Sequence, residues 1–484
     1  MIKTIKSISV LTRNGDKKVI IRSNRLLALT VIVLATTACP AEETEVPSDA
    51  GPAVEVDAGT TSNTIADIAS SDANFSTLLA VVQKADLVSV LAGDGPLTVF
   101  APTNDAFAAS GLDQAALDAL SAADAAQIIT YHAVSGTVLS SSLSAGVVNT
   151  VADLSLVVGT EGGVTLNGGN AVTGGATVTS ADVSADNGVV HVIDRVLLPP
   201  TVADLARYAG LTELGAAVEA AGLTETLSGE GPFTVFAPTN DAFPDDTAGL
   251  NVAQVLTYHV LSGAVASDQV TSGNVDTLAT QSFGEGDAAS SISLDLFIDT
   301  SAGVRLNNTA DVVIADVRGT NGIVHVIDGV LVPLNIAEVA TVAGFTQLVA
   351  AVGASAPIPA ALAGGDSDVP VIEALSSLSA LTVFAPTDDA FGAAFPGGLP
   401  TDQAAVLGVL GGHVIAGAAP VEAAGLPADT NAEVSALVGA LTFDASANPP
   451  TVSIVGGNSA GIVSTDIGAT NGVVHVIDGV LMTQ

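Results

Sequence analysis

All six histidines of this 484-residue chain fall on two recurring positions. His191, His325 and His475 each lie inside the phrase Asn-Gly-(Val or Ile)-Val-His-Val-Ile-Asp. His132, His259 and His413 each precede a short apolar pair that ends near a glycine. An aspartate stands five residues before each repeated Asn, at Asp182, Asp316 and Asp466. Two imidazoles and a carboxylate per repeat are a donor set that zinc chemistry uses. The spacing argues against it. The paired histidines are 59, 66 and 62 residues apart, which fits no local metal motif. His191 also interrupts a run of β-branched residues, Val189 to Ile193, typical of a buried strand. An imidazole buried there needs a carbonyl or carboxylate partner. The expectation is therefore a packed, hydrogen-bonded role for His191, His325, His413 and His475, with no metal, no cofactor and no catalytic residue. Asp182, Asp316 and Asp466 could bind calcium, but an Asp ahead of an Asn-Gly turn is expected to satisfy turn amides.

One further motif carries possible chemistry. Gly457-Asn458-Ser459-Ala460-Gly461 matches the G-x-S-x-G nucleophile elbow, which requires a strand, a sharp turn and a helix. Here β-like runs flank it, and the matching stretches of the other repeats hold no such serine. A hydrolase or metal-dependent enzyme is thus the least supported reading, and the chain is expected not to be an enzyme.

The elements that must position these residues also recur. Each repeat opens with a helix-capping residue and apolar residues at helical spacing: Thr64-Ile65-Ala66-Asp67-Ile68, Thr201-Val202-Ala203-Asp204-Leu205 and Asn335-Ile336-Ala337-Glu338-Val339. A short apolar strand stopped by proline follows, beginning at Leu97, Phe233 and Leu381 and ending Phe-Ala-Pro-Thr. The threonines after it (Thr103, Thr239 and Thr387) are expected to cap helices, helped by Asp105, Asp241 and Asp389. Another helix leads to Tyr131-His132, Tyr258-His259 and Gly412-His413. Alternating runs then read as strands, and Asn-Gly suits a hairpin turn before the closing run. From the first helix to the Thr of the Phe-Ala-Pro strand the distance is 33, 32 and 46 residues, so the third repeat carries an insertion, placed near 354–370.

Composition agrees with a chain of about three domains. Hydrophobic residues make up 48%, yet there is no Trp and aromatics are 3%, so the cores are built from aliphatic side chains. The formal net charge is −38. Such a field repels nucleic acid and anionic membrane surfaces. Residues 1–38 carry seven cations and an apolar run, Leu26 to Ala35, too short to span a bilayer. They end at Thr36-Thr37-Ala38-Cys39, which resembles a bacterial lipoprotein signal. That resemblance implies cleavage before Cys39, lipidation of its thiol and a membrane anchor, with outer-membrane or cell-surface exposure. Cys39 is the single cysteine, so no intramolecular disulfide competes for it. Residues 39–60 are acidic and proline-bearing and read as a disordered tether.

The strand-Pro-Thr phrase, the Tyr-His pair and the Asn-Gly-Val-Val-His-Val-Ile-Asp phrase, in that order, resemble the fasciclin-type domain. Three copies are expected at 61–199, 200–334 and 335–484. The resemblance implies an α+β fold, each module a small β-wedge or sandwich with helices along one side. It also implies non-catalytic adhesion: multivalent recognition of a matrix polymer, polysaccharide or surface protein. The Tyr-His role in partner recognition carries over only to Tyr131, His132, Tyr258 and His259, because Gly412 replaces the tyrosine beside His413. The alternative is a ligand-free spacer of the cell envelope.

Overall fold

The computed structural model describes residues 9–13, 16–20, 63–169, 174–244, 250–284, 289–355, 357, 370–417, 419–427 and 433–483. Cys39, the tether and nearly all of the insertion near 354–370 lie outside them. Residues 1–60 and 61–484 form separate compact units. The first contains an antiparallel hairpin, Ser9–Arg13 with Asp16–Ile20, where sequence pattern alone suggested only a cationic leader.

In the second unit each repeat builds a seven-stranded mixed sheet with short helices. In the first domain the strand order is Ala133–Ser135, Leu97–Pro102, Gly188–Ile193, Ala176–Ala185, Thr165–Leu166, Ser155–Gly159, Gly146–Asn149. The other domains repeat it. One pair is parallel. The leading strand (Leu97–Pro102, Phe233–Pro238, Leu381–Pro386) runs beside the closing strand (Gly188–Ile193, Gly322–Ile327, Gly472–Ile477). Their register sets Phe100, Phe236 and Phe384 opposite His191, His325 and His475. The closing strand pairs on its other side with a long bulged strand, Ala176–Ala185, Ala310–Gly319 or Ser459–Ala469.

Two apolar cores flank the sheet in each domain. In the first domain the helical side packs Ile65, Phe75, Leu78, Val82, Phe107 and Val190, and the strand side packs Phe100, Tyr131, Leu156, Leu166 and Ile193. Aliphatic residues dominate both, as the scarcity of aromatics requires. The first helices begin where their capping residues predict. Thr64, Thr201 and Asn335 each complete a capping box with Asp67, Asp204 and Glu338. Thr103 and Thr387 also cap helices. Thr239 does not: only a 3-10 turn, Asn240–Ala242, follows it, because Phe243-Pro244 stops the chain from coiling further.

The turn before the closing strand is formed differently from the expectation. Ala185 pairs with Gly188, so Asp186 and Asn187 occupy the turn and the glycine opens the strand. Gly188 is needed for closeness: a Cβ there would lie 1.9 Å from the Leu97 carbonyl oxygen. Gly322 and Gly472 face the same limit at 2.1 and 2.0 Å. The freed asparagine acts as a hub. Asn187 Oδ1 accepts the first helical amide, Ile65 N, at 2.9 Å, and its Nδ2 donates to the carbonyls of Leu91 and Gly93. Asn321 and Asn471 repeat this toward Val202 and Ile336. The residue before each Asn donates its backbone N–H to Asn63, Pro200 or Leu334 ahead of the same helix. Each domain's last turn thus clasps its own first residues.

Successive domains meet through one repeated contact. The backbone N–H of Arg318 donates to Ser155 Oγ at 2.8 Å, and that of Gly468 donates to Asp295 Oδ2 at 2.6 Å. Ser155 and Asp295 are equivalent positions, since their carbonyls accept the hydroxyls of Tyr131 and Tyr258. Arg318 and Gly468 each follow the repeated aspartate by two residues. The first joint adds an Arg318–Asp153 ion pair at 2.7 Å. The second adds an apolar cluster of Phe283, Ile292, Ala380 and Val473.

Candidate functional site

The histidines of the closing strand are buried, at 0–1% exposure, and stack on the leading-strand phenylalanines with ring centroids 5.3–5.7 Å apart. Both ring nitrogens are used. His191 Nε2 donates to the Val138 carbonyl at 2.9 Å, and its Nδ1 accepts the Asp182 backbone N–H at 3.2 Å. His325 bonds Val265 and Asp316 in the same way, and His475 bonds Val421 and Asp466. The Asp182 carboxylate approaches His191 Nδ1 at 4.0 Å, but that nitrogen already accepts the Asp182 backbone N–H. Burial also lowers the pKa of His475.

The second set, at each helix end, obeys a different pattern. His132 Nδ1 donates to the Ile128 carbonyl at 2.8 Å, one turn back. Its Nε2 accepts the Leu197 N–H at 2.9 Å, drawing the domain's exit segment onto the helix. His259 and His413 do the same with Leu331 and Leu481. Burial pushes all three imidazoles down to about 4. With both nitrogens engaged, none of the six has a lone pair free for a metal. Among the described residues no group of three or more His, Cys, Asp or Glu side chains could hold a metal ion.

Tyr131 and Tyr258 are fully buried. Tyr131 donates to the Ser155 carbonyl at 2.9 Å and accepts from Asn167 at 3.0 Å. Tyr258 pairs likewise with Asp295 and Asn307. Burial raises both phenol pKa values. Tyr131, His132, Tyr258 and His259, which the family resemblance puts forward for partner contact, are 0–2% exposed and spend their polar atoms on interior backbone and amide groups. The repeated aspartates are also placed differently from expectation. Asp182, Asp316 and Asp466 adopt left-handed backbone, φ about +60°, within the bulged strand. Their carboxylates bond a loop 42, 49 and 43 residues earlier, at Ser140, Ser267 and Ala423. The Ser140 hydroxyl and amide hold the Asp182 carboxyl below its usual range. At Asp316 burial acts to raise the pKa, and the bonds from Ser267 outweigh it.

Gly457 and Asn458 lie in the turn between strands Thr451–Ile454 and Ser459–Ala469, and Ser459 to Gly461 open the second strand. A strand follows Ser459 where the nucleophile elbow requires a helix. Asn458 instead ties down the following segment, donating to the Val480 carbonyl and accepting from Met482 N.

The family model for the fasciclin domain matches residues 73–199, 209–333 and 366–483. The chain belongs to the fasciclin domain family. Its three fasciclin domains share the seven-stranded α+β architecture described above. Protein sll1483 of Synechocystis sp. is 43% identical over 139 residues, 28% of this chain and 74% of that protein. Transforming growth factor-beta-induced protein ig-h3 of Sus scrofa is 28% identical over 439 residues, 87% of this chain. The chain spans 58% of the length of that relative. The solved FAS1 domain pair of the insect cell adhesion molecule fasciclin I aligns at 21% identity with a TM-score of 0.34, over 54% of this chain and 97% of that one. Among the described residues no helix is long and apolar enough to cross a membrane.

Local sequence pattern does not single out the hubs Asn187, Asn321 and Asn471 or the amide partners Asn167 and Asn307. The Asn of the closing phrase carries a signal, but locally it is indistinguishable from turn chemistry.

Proposed function

We propose that the chain is a surface adhesion protein. It would present three fasciclin domains for non-covalent, multivalent recognition of a polysaccharide, matrix polymer or surface protein. Fasciclin domains in adhesion proteins such as ig-h3 support the broad role. The observation that carries the reading here is that the repeated His, Tyr and Asn side chains are consumed by interior hydrogen bonds. Recognition is left to the outer loops, which differ between domains, and three weak contacts on one chain can sum to useful avidity. The same consumption of polar atoms supports a non-enzymatic role. Anchoring by a lipid at Cys39, in the outer membrane or at the cell surface, belongs to this proposal and is tested by mass spectrometry of the mature N-terminus.

The experiment for binding is a matrix and glycan screen of the mature chain at low and high salt, with single-domain deletions. Stepwise loss of avidity on deletion supports the reading. Absence of binding by the intact chain in both salts overturns it. One observation favours a ligand-free spacer instead: both joints are held by a backbone-to-side-chain bond, part-buried at the first and buried at the second. A spacer would lose reach, but no adhesion, on deletion of a domain.

A further inference from the structure

The two joints use the same position for different chemistry. At the first, the acceptor is the hydroxyl of Ser155, which does not titrate in the accessible range. At the second it is the carboxylate of Asp295, 3% exposed. Asp295 Oδ2 accepts Gly468 N–H from the third domain, and Oδ1 accepts Asn274 Nδ2 at 2.6 Å. The backbones are in close contact, since a Cβ on Gly468 would lie 1.8 Å from the Ser293 carbonyl oxygen. Phe297, two residues beyond Asp295, packs against the third domain's core. Asp295 is therefore sealed by the joint itself.

The charges around it share its sign. Asp276 on the neighbouring strand and Asp466, two residues before Gly468, both act on Asp295. Tyr258, whose hydroxyl donates to the Asp295 carbonyl, is itself acted on by Glu338 of the third domain. Among the described residues no cation is among the groups that act on Asp295.

We propose that the joint between the second and third domains is a pH-responsive lock, held more firmly in mildly acidic surroundings, with Asp295 as its titrating group. At neutral pH the closed joint holds a carboxylate away from water, facing other acids. Protonation removes that cost. One oxygen continues to accept Gly468 N–H, and the new hydroxyl can donate to Asn274 once its amide turns over. Burial raises Asp295 to about 6. A group raised in the closed state favours closure as pH falls through that value. With an ordinary carboxyl in the opened joint, closure should strengthen about tenfold between pH 7.5 and pH 5. The first joint should not respond.

Hydrogen exchange on the full chain, corrected for the intrinsic pH dependence of exchange, reads both joints at once. The protection of Gly468 N–H should rise about tenfold from pH 7.5 to pH 5, and that of Arg318 N–H should stay level. In Asp295→Asn the Gly468 response should vanish. A flat or falling Gly468 profile in the native chain overturns the proposal, as does a parallel rise at Arg318 or a response that survives Asp295→Asn. Should that variant fail to fold, the comparison of Gly468 with Arg318 in the native chain still decides.

Discussion

The first and third domains solve the same packing problem around the same histidine in different ways. In the first, Tyr131 runs from the helix end into the strand-side core and finds Ser155 and Asn167. In the third, Gly412 stands at that position, and a Cβ there would already lie 2.9 Å from Ile454 Cδ1. A Cβ on neighbouring Gly411 would come within 2.4 Å of Val438. A sheet residue, Ile454, takes up the space beside Gly412, and Phe443 of the same core lies 5.6 Å from Phe384. Yet His413 keeps both of its bonds, at 2.8 Å each. The histidine thus fixes the backbone independently of the tyrosine. The tyrosine is one of two interchangeable ways to fill the space beside it.

The comparison can be broken most directly at the helix-end histidines. His132→Ala and His413→Ala each leave a cavity and an orphaned buried amide, at Leu197 and Leu481, and each should cost about 3 kcal/mol or more. Calorimetry should find the two losses equal within error if the histidine acts independently of its neighbour. A much milder loss in the third domain would tie the histidine's role to the tyrosine.

Acid should act on all three domains alike. The native imidazoles of His132, His259 and His413 sit at about 4, below the ordinary value of 6.5. A depressed native pKa gives stability that is complete above 6.5 and is lost as pH falls toward 4. By pH 4.5 each domain should have lost about 2–3 kcal/mol, measurable by urea denaturation at stepped pH. A third domain that resists acid would show that Gly412 changes the histidine's surroundings after all.

Restoring the tyrosine sharpens the contrast. Gly412→Tyr should destabilise the third domain by about 1–3 kcal/mol through overpacking. Combining it with Ile454→Ala should recover part of the loss, and a double-mutant cycle would measure the coupling. The smallest effect belongs to Tyr131→Phe, which removes one hydroxyl and strands Asn167 Nδ2. A loss of about 1 kcal/mol is expected, with the midpoint of the first domain's denaturation as the readout.

The repeated phrases made much of the fold legible. Thr64, Thr201 and Asn335 start helices because a cap acts within three residues, and the proline-stopped strand is equally local. What was hidden depends on residues far apart in sequence. Asn187 resembles a turn residue until Leu91, Gly93 and Ile65 are brought to it. Asp182 reads locally as a residue of its own turn, yet the bulge swings its carboxylate to Ser140. Tyr131-His132 ends an amphipathic helix, and nothing local reveals that both polar tips point into protein. Asp295 is one acid among 50 Asp and Glu residues, and only its neighbour domain makes it unusual.

The clasp that joins each domain's last turn to its first residues also has a mechanical meaning. In a tandem pulled from its ends, load enters the first domain near residue 63 and leaves beyond residue 199. The bonds from Asp186 to Asn63 and from Asn187 to Ile65 bridge almost that whole span. They lie across the load path ahead of the core. Repeated three times in series, they make each domain a separate link, and in the first domain stretching must release the clasp before tension reaches the chain between Ile65 and Asp186.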